Sequence, residues 1–149
     1  MTIKHILVPT DFHKPSIHAV HYAFDLAIKV GAVVHLLHVY EPVPSGSSNL
    51  RNEALRRDVQ AALEEIAAPY RESPALGERI AAMGDAKQMI LQTANERGVD
   101  LIVLGSHGRR GLPQVLLGSV AEPVMRESRC PVLIARESEL DRLIEQTAL

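Results

Sequence analysis

The fold is decided by residues 98–135, GVDLIVLGSHGRRGLPQVLLGSVAEPVMRESRCPVLIA. Within it, Leu101-Ile102-Val103-Leu104 is a short, wholly aliphatic run, the pattern of a strand covered on both faces. A glycine-rich segment comes next, then a helical stretch from about Ser119 to Glu127, then a second aliphatic run from Pro131 to Ala135. Strand, helix and strand in that order predict a βαβ unit, with parallel strands and a right-handed crossover.

The same alternation recurs toward the N-terminus. Ile3-Lys4-His5-Ile6-Leu7-Val8 reads as a first strand that stops at Pro9. From about Ser16 to Val30, residues Ala19, Ala23, Leu26, Ala27 and Val30 recur at helical spacing, and Gly31 closes the run. Ala32 to Val39 reads as the second strand, and Glu41 to Asn49 as an exposed, turn-rich loop. Leu55, Val59, Ala62 and Ile66 mark a helix with a charged face. Arg79 to Met83 is a weaker third strand, and Ala86 to Arg97 a helix closed by Gly98. The pattern predicts one α/β, Rossmann-like three-layer domain: a five-stranded, mostly parallel sheet with helices on both faces. Such sheets bind ligands at the carboxyl ends of their strands, where strand order reverses. That points to the segments immediately after Val8 and after Leu104.

Composition narrows the function. The chain has 149 residues, enough for one domain with a sizeable core. Sixteen Lys and Arg against 18 Asp and Glu leave a formal charge of −2, so no basic excess draws the molecule to nucleic acid. Aromatic residues are 3%, with no Trp, which disfavours a base-stacking surface. The single Cys130 excludes an internal disulfide and fits a reducing compartment. MTIKHILVPTD has too short an apolar run for a signal peptide, and no stretch is long enough to span a membrane. A cytoplasmic protein is expected.

The glycine-rich segment suits a phosphate cradle. Gly105 and Gly108 let backbone approach a ligand closely and permit positive φ. Gly118-Ser119 opens the next helix, where free N–H groups and a hydroxyl can meet an anion, and Arg109 and Arg110 add positive charge. Ordinary chemistry competes with each of these features. Glycines after a parallel strand serve turns, loop arginines are often merely solvated, and Ser119 with Glu122 forms a capping box. No glycine is followed by lysine, so a P-loop is absent, and the spacing is not that of the dinucleotide fingerprint.

Gly105-x2-Gly108-x9-Gly118-Ser119 resembles the G-x2-G-x9-G-[ST] motif of the universal stress protein family in its nucleotide-binding form. Ile6-Leu7-Val8-Pro9-Thr10-Asp11-Phe12 resembles the family's opening strand and loop, Leu37-His38-Val39 the end of its second strand, and Cys130-Pro131-Val132-Leu133-Ile134 its last strand. The resemblance covers roughly residues 2–136 and implies the strand order 3-2-1-4-5. It also implies ATP bound between the first and fourth strands. Pro9, Thr10 and Asp11 would line the adenosine end, with Val39 beside the base. Gly105, His107, Gly108 and Arg109 would run along the phosphates, and Gly118, Ser119 and Val120 would close over them. Any Mg²⁺ or Mn²⁺ would sit on the phosphates. The function implied is a nucleotide-dependent stress-response regulator or binding module, dimeric through the last strand. A nucleotide-free interaction protein of the same fold and a slow ATPase are the alternatives. Three positions depart from the family: Ala86 replaces a frequent proline, His13 replaces a capping serine, and Pro123 lies early in the helix after Ser119.

Other polar residues carry less. His13, His18 and His21 lack a carboxylate or cysteine at metal-binding spacing, so surface or core roles are expected. His107 would tune phosphate binding with pH, Asp11 is a general base or a loop acceptor, and Cys130 is read as a small buried hydrophobe. Residues 137–149 form a separate C-terminal extension. Leu140, Leu143, Ile144 and Ala148 lie there at helical spacing, predicting a stripe docked on the domain or on a partner chain.

Overall fold

In the computed structural model, which describes residues 1–44, 48–106 and 118–136, the elements keep the expected alternation. They are β1 (His5–Pro9), α1 (Lys14–Val30), β2 (Val33–Tyr40), α2 (Ser48–Ala67), β3 (Leu76–Met83), α3 (Ala86–Glu96), β4 (Leu101–Gly105), α4 (Ala121–Glu127) and β5 (Val132–Ala135). The strands form one parallel sheet in the order β3-β2-β1-β4-β5, the order that the resemblance implied.

Both faces of the sheet are covered, which explains the aliphatic runs. Ile6, Val8, Val34 and Leu36 face α1 and α2, packing on Ala19, Ala23, Phe24, Ala27 and Leu63. Leu7, Leu37, Ile102 and Leu104 face α3 and α4, packing on Ile90, Ala94 and Val124. Each fully buried aliphatic or aromatic side chain contributes about 1.5–3 kcal/mol. Alternate residues of one strand therefore stabilise opposite layers.

Several boundaries differ from the sequence reading for local reasons. α1 begins two residues early because Pro15, within its first turn, has a φ already set for a helix. α2 extends back to Ser48, so the predicted loop at Glu41 to Asn49 is too long. α4 begins at Ala121, not Ser119. A helical Ser119 would put its carbonyl against the Pro123 ring four residues on, whereas from Ala121 the proline falls in the first turn. β3 is longer than predicted because it contains a bulge. Its register steps from Val34↔Leu76 to Leu36↔Arg79, three residues of β3 against two of β2.

His35 fills that bulge. The Glu78 N–H donates to His35 Nδ1 at 3.0 Å, and a Cβ on Gly77 would lie 2.6 Å from the same nitrogen. Accepting at Nδ1 places the His35 proton on Nε2, which donates to His5 Nδ1 at 3.1 Å. Burial holds the His35 pKa below its ordinary value; His5 and Arg97 add to this, and the Glu78 carboxylate opposes it.

The native state thus refuses a proton that the unfolded chain takes near pH ~6.5. Stability is expected to be complete above that pH and to fall as the pH drops below it, until His35 protonates in the native state as well. In urea titrations across pH, His35→Leu should lose about 1–3 kcal/mol at neutral pH through the unpaired Glu78 N–H. It should also show a shallower acid slope, and an unchanged slope would contradict this role.

Candidate functional site

The carboxyl ends of β1, β2 and β4 open onto a cleft against the starts of α3 and α4. Pro9, Thr10, Asp11, Val39, Gly105, Ser119 and Val120 line it together, as the sequence reading placed them. Gly118 precedes Ser119 and is half-buried. His107, Gly108 and Arg109 lie outside the described residues, as do Arg110 and the extension at 137–149. Sequence reading missed Ser16, Leu37, His38, Ala86, Ile90, Leu104 and Ala121, which also line the cleft. Strand alternation was the available signal for Leu37 and Leu104, since both share a face with Leu7. Nothing local marked Ile90 or Ala121, which arrive on separate helices.

The loop after β1 is tied to the start of α1 by a chain of hydroxyls. The Phe12 N–H donates to Thr10 Oγ1 at 3.0 Å, and Thr10 Oγ1 lies 2.8 Å from Ser16 Oγ. Ser16 Oγ is also 2.8 Å from Asp11 Oδ1. A carboxylate only accepts, so Ser16 donates to Asp11 and accepts the hydrogen bond of the Thr10 hydroxyl. The His13 N–H adds a bond to Asp11 Oδ1 at 3.0 Å. Burial raises the Asp11 pKa, but these bonds and the nearby His13 outweigh it and leave the carboxyl below its ordinary value. Asp11 is therefore the loop acceptor that the sequence allowed. His13 sits at the N-cap of α1 without a side-chain capping bond, and the Asp11–Ser16 pair orders that turn instead. Phe12 takes a left-handed φ of 67°, a conformation that costs a non-glycine residue about 1–3 kcal/mol.

β2 runs past the end of β1. Along β2 the backbone groups alternate: the Val33 N–H bonds Lys4 on the β1 side, and the Val34 N–H bonds Ala75 on the β3 side. The last rung to the β1 chain is the Thr10 N–H to the Leu37 carbonyl at 2.8 Å. By the same alternation, the Val39 N–H and C=O point to the β1 side, where the chain has already turned away. Among the described residues, neither group bonds to Thr10. A donor and an acceptor thus stand side by side at the cleft wall, above an aliphatic floor of Leu37, Ile90, Leu104 and Ala121.

Two glycine-segment expectations change. Gly105 does not have positive φ, and a Cβ there would meet the Pro15 carbonyl oxygen at 2.3 Å. Its smallness serves the close approach of α1. The capping box is not formed: Val120 takes the N-cap of α4 without a side-chain bond, and Glu122 pairs with Arg126 at 2.6 Å. The Ser119 side chain is exposed beside the cleft. Elsewhere, Cys130 is only half-buried, with Sγ 3.4 Å from Ser128 Oγ, and His21 pairs with the Tyr70 hydroxyl. Among the described residues, no three His, Cys, Asp or Glu side chains converge.

Comparison with known proteins gives this geometry a context. Residues 2–136 match the Universal stress protein family. Universal stress protein MJ0531 of Methanocaldococcus jannaschii is 32% identical over 140 residues, covering 90% of this chain and 82% of that one. The solved structure of MJ0577 superposes with a TM-score of 0.76 at 28% identity, covering 93% and 99% of the two chains. A universal stress protein solved in complex with cAMP superposes at 0.69 with 25% identity, covering 93% and 100%.

The Gly105 contact is directly testable. Gly105→Ala is expected to cost about 1–3 kcal/mol by forcing α1 away from β4. Urea unfolding of the variant measures it, and an unchanged midpoint would show that α1 yields freely.

Proposed function

Because the chain belongs to the universal stress protein family, we propose that the cleft binds an adenine nucleotide, ATP in particular. Any Mg²⁺ or Mn²⁺ is carried on the phosphates. The open Val39 edge is the observation that carries this reading. Adenine offers an acceptor at N1 beside a donor at N6, the complement of one residue's N–H and C=O. Guanine offers the reverse and is mismatched. The aliphatic floor takes the flat faces of the base without ring stacking. Asp11, an acceptor at the mouth, suits a ribose hydroxyl. From there the phosphates run past Gly105 and Ser119 toward His107, Gly108 and Arg109.

The protein acts as a nucleotide-dependent stress-response regulator or binding module in the cytoplasm. Phosphoryl transfer needs charge placed on the transferring group, and the glycine motif of this sequence carries no P-loop lysine to supply it. Hydrolysis is therefore slow at most. β5, at the edge of the described sheet, leaves one side of its backbone available for pairing. A homodimer forms through β5 and the C-terminal extension at 137–149.

Calorimetric titration of the nucleotide-free protein with ATP, AMP and GTP, with and without Mg²⁺, should show binding of the adenine nucleotides in preference to GTP. No adenine nucleotide binding at all overturns the reading, and rapid turnover makes the protein an enzyme. Gly108→Val should weaken ATP at least tenfold while sparing adenosine, since a branched side chain there blocks the phosphates. Deleting residues 137–149 should lower the solution mass or the melting temperature; no change in either removes the extension from the interface.

A further inference from the structure

We propose that His38 is a positioning residue of this site: its imidazole occupies the Thr10 carbonyl and so keeps the Val39 edge open for the base. The inference rests on the nucleotide reading above. His38 Nδ1 lies 2.6 Å from the Thr10 oxygen. A carbonyl can only accept, so Nδ1 carries the proton and donates.

The position of that bond gives it its meaning. Thr10 N–H to Leu37 C=O is the last rung of the β1–β2 ladder, and the next in register is Val39 N–H to Thr10 C=O. His38 replaces that rung with a side-chain bond across 28 residues. Were the ladder to close by one more step, Val39 would lose the donor that faces adenine N1. All three polar groups of Thr10 are thereby committed: N–H to Leu37, Oγ1 to Phe12 and Ser16, and C=O to His38. The imidazole is held in turn by the Phe12 ring, 4.5 Å away between centroids. The left-handed turn at Phe12 brings that ring over β2, so the strained residue and the histidine act as one clamp.

A purely structural His38 would satisfy one carbonyl and leave base recognition alone. The variants His38→Phe, which keeps a ring against Phe12 but has no donor, and His38→Asn, whose amide N–H stands near the place of Nδ1, separate the two roles. For each, AMP and GMP affinities are measured by calorimetry, and the hydrogen exchange of the Val39 amide is tracked in the nucleotide-free protein. His38→Phe should weaken AMP about tenfold, the worth of one hydrogen bond, and narrow the AMP-over-GMP preference. It should also slow Val39 exchange, and His38→Asn should restore all three. AMP affinity and Val39 exchange unchanged in His38→Phe overturn the proposal. So does weaker binding with base preference and exchange both unaltered. Should His38→Phe fail to fold, nitrogen NMR of the wild-type imidazole decides: a proton on Nε2 alone excludes the bond to Thr10. If the wild type binds no adenine nucleotide, the site reading falls, while Val39 exchange still judges the part played by His38.

Discussion

How β1 ends, at Thr10, governs the carboxyl edge of the sheet, because every neighbouring element takes its position from the point where that central strand turns away. β2 continues to Tyr40 and β4 to Gly105, so the early departure of β1 leaves a notch between them. The notch persists because Thr10 is held on all sides: by Leu37 through the backbone, by Ser16 and Phe12 through its hydroxyl, and by His38 through its carbonyl. One rung fewer would shorten the cleft wall, and one rung more would consume the Val39 donor.

α1 meets the notch from one side and α3 and α4 from the other. α1 presses so closely on Gly105 that any side chain there collides with the backbone of Pro15. That contact fixes the start of α1, and with it Ser16 and the Asp11 carboxylate. The opposite layer supplies apolar side chains, Ile90 and Ala121, with Leu37 and Leu104 beneath them. The polar groups of the cleft therefore come from the loop after β1 and the Val39 backbone, and much of its apolar lining from the other layer. The far end of the sheet is built differently. There the His35–His5 pair and the Glu78 N–H close a bulge, a structural use of histidine at the opposite end of the sheet from the cleft.

Much of this architecture is legible in the sequence. The alternation of aliphatic runs and helical stripes located the five strands and four α-helices of the described residues, and the glycine spacing with Pro9-Thr10-Asp11 pointed to the end of the sheet where the cleft lies. Residues read as a group, Pro9 to Asp11, Val39, Gly105 and Ser119, do share one cleft. Errors arose where one residue answers to two constraints. Ser119 looked like a cap because its spacing to Glu122 is right, but Pro123 delays the helix and Glu122 turns to Arg126. Gly105 looked like a residue of positive φ because it opens the glycine motif, yet its φ is ordinary and its smallness admits α1.

The sequence by itself determined the alternation of layers, the two-sided burial and the end of the sheet at which Pro9–Asp11 and Gly105 gather, because periodicity and glycine spacing are local properties of the chain. Only the tertiary structure decided which carbonyl His38 reaches, what His35 pairs with, and that the Val39 edge stays open. Those outcomes depend on register between strands some thirty residues apart, where a shift of one residue exchanges every partner, and no local pattern encodes that.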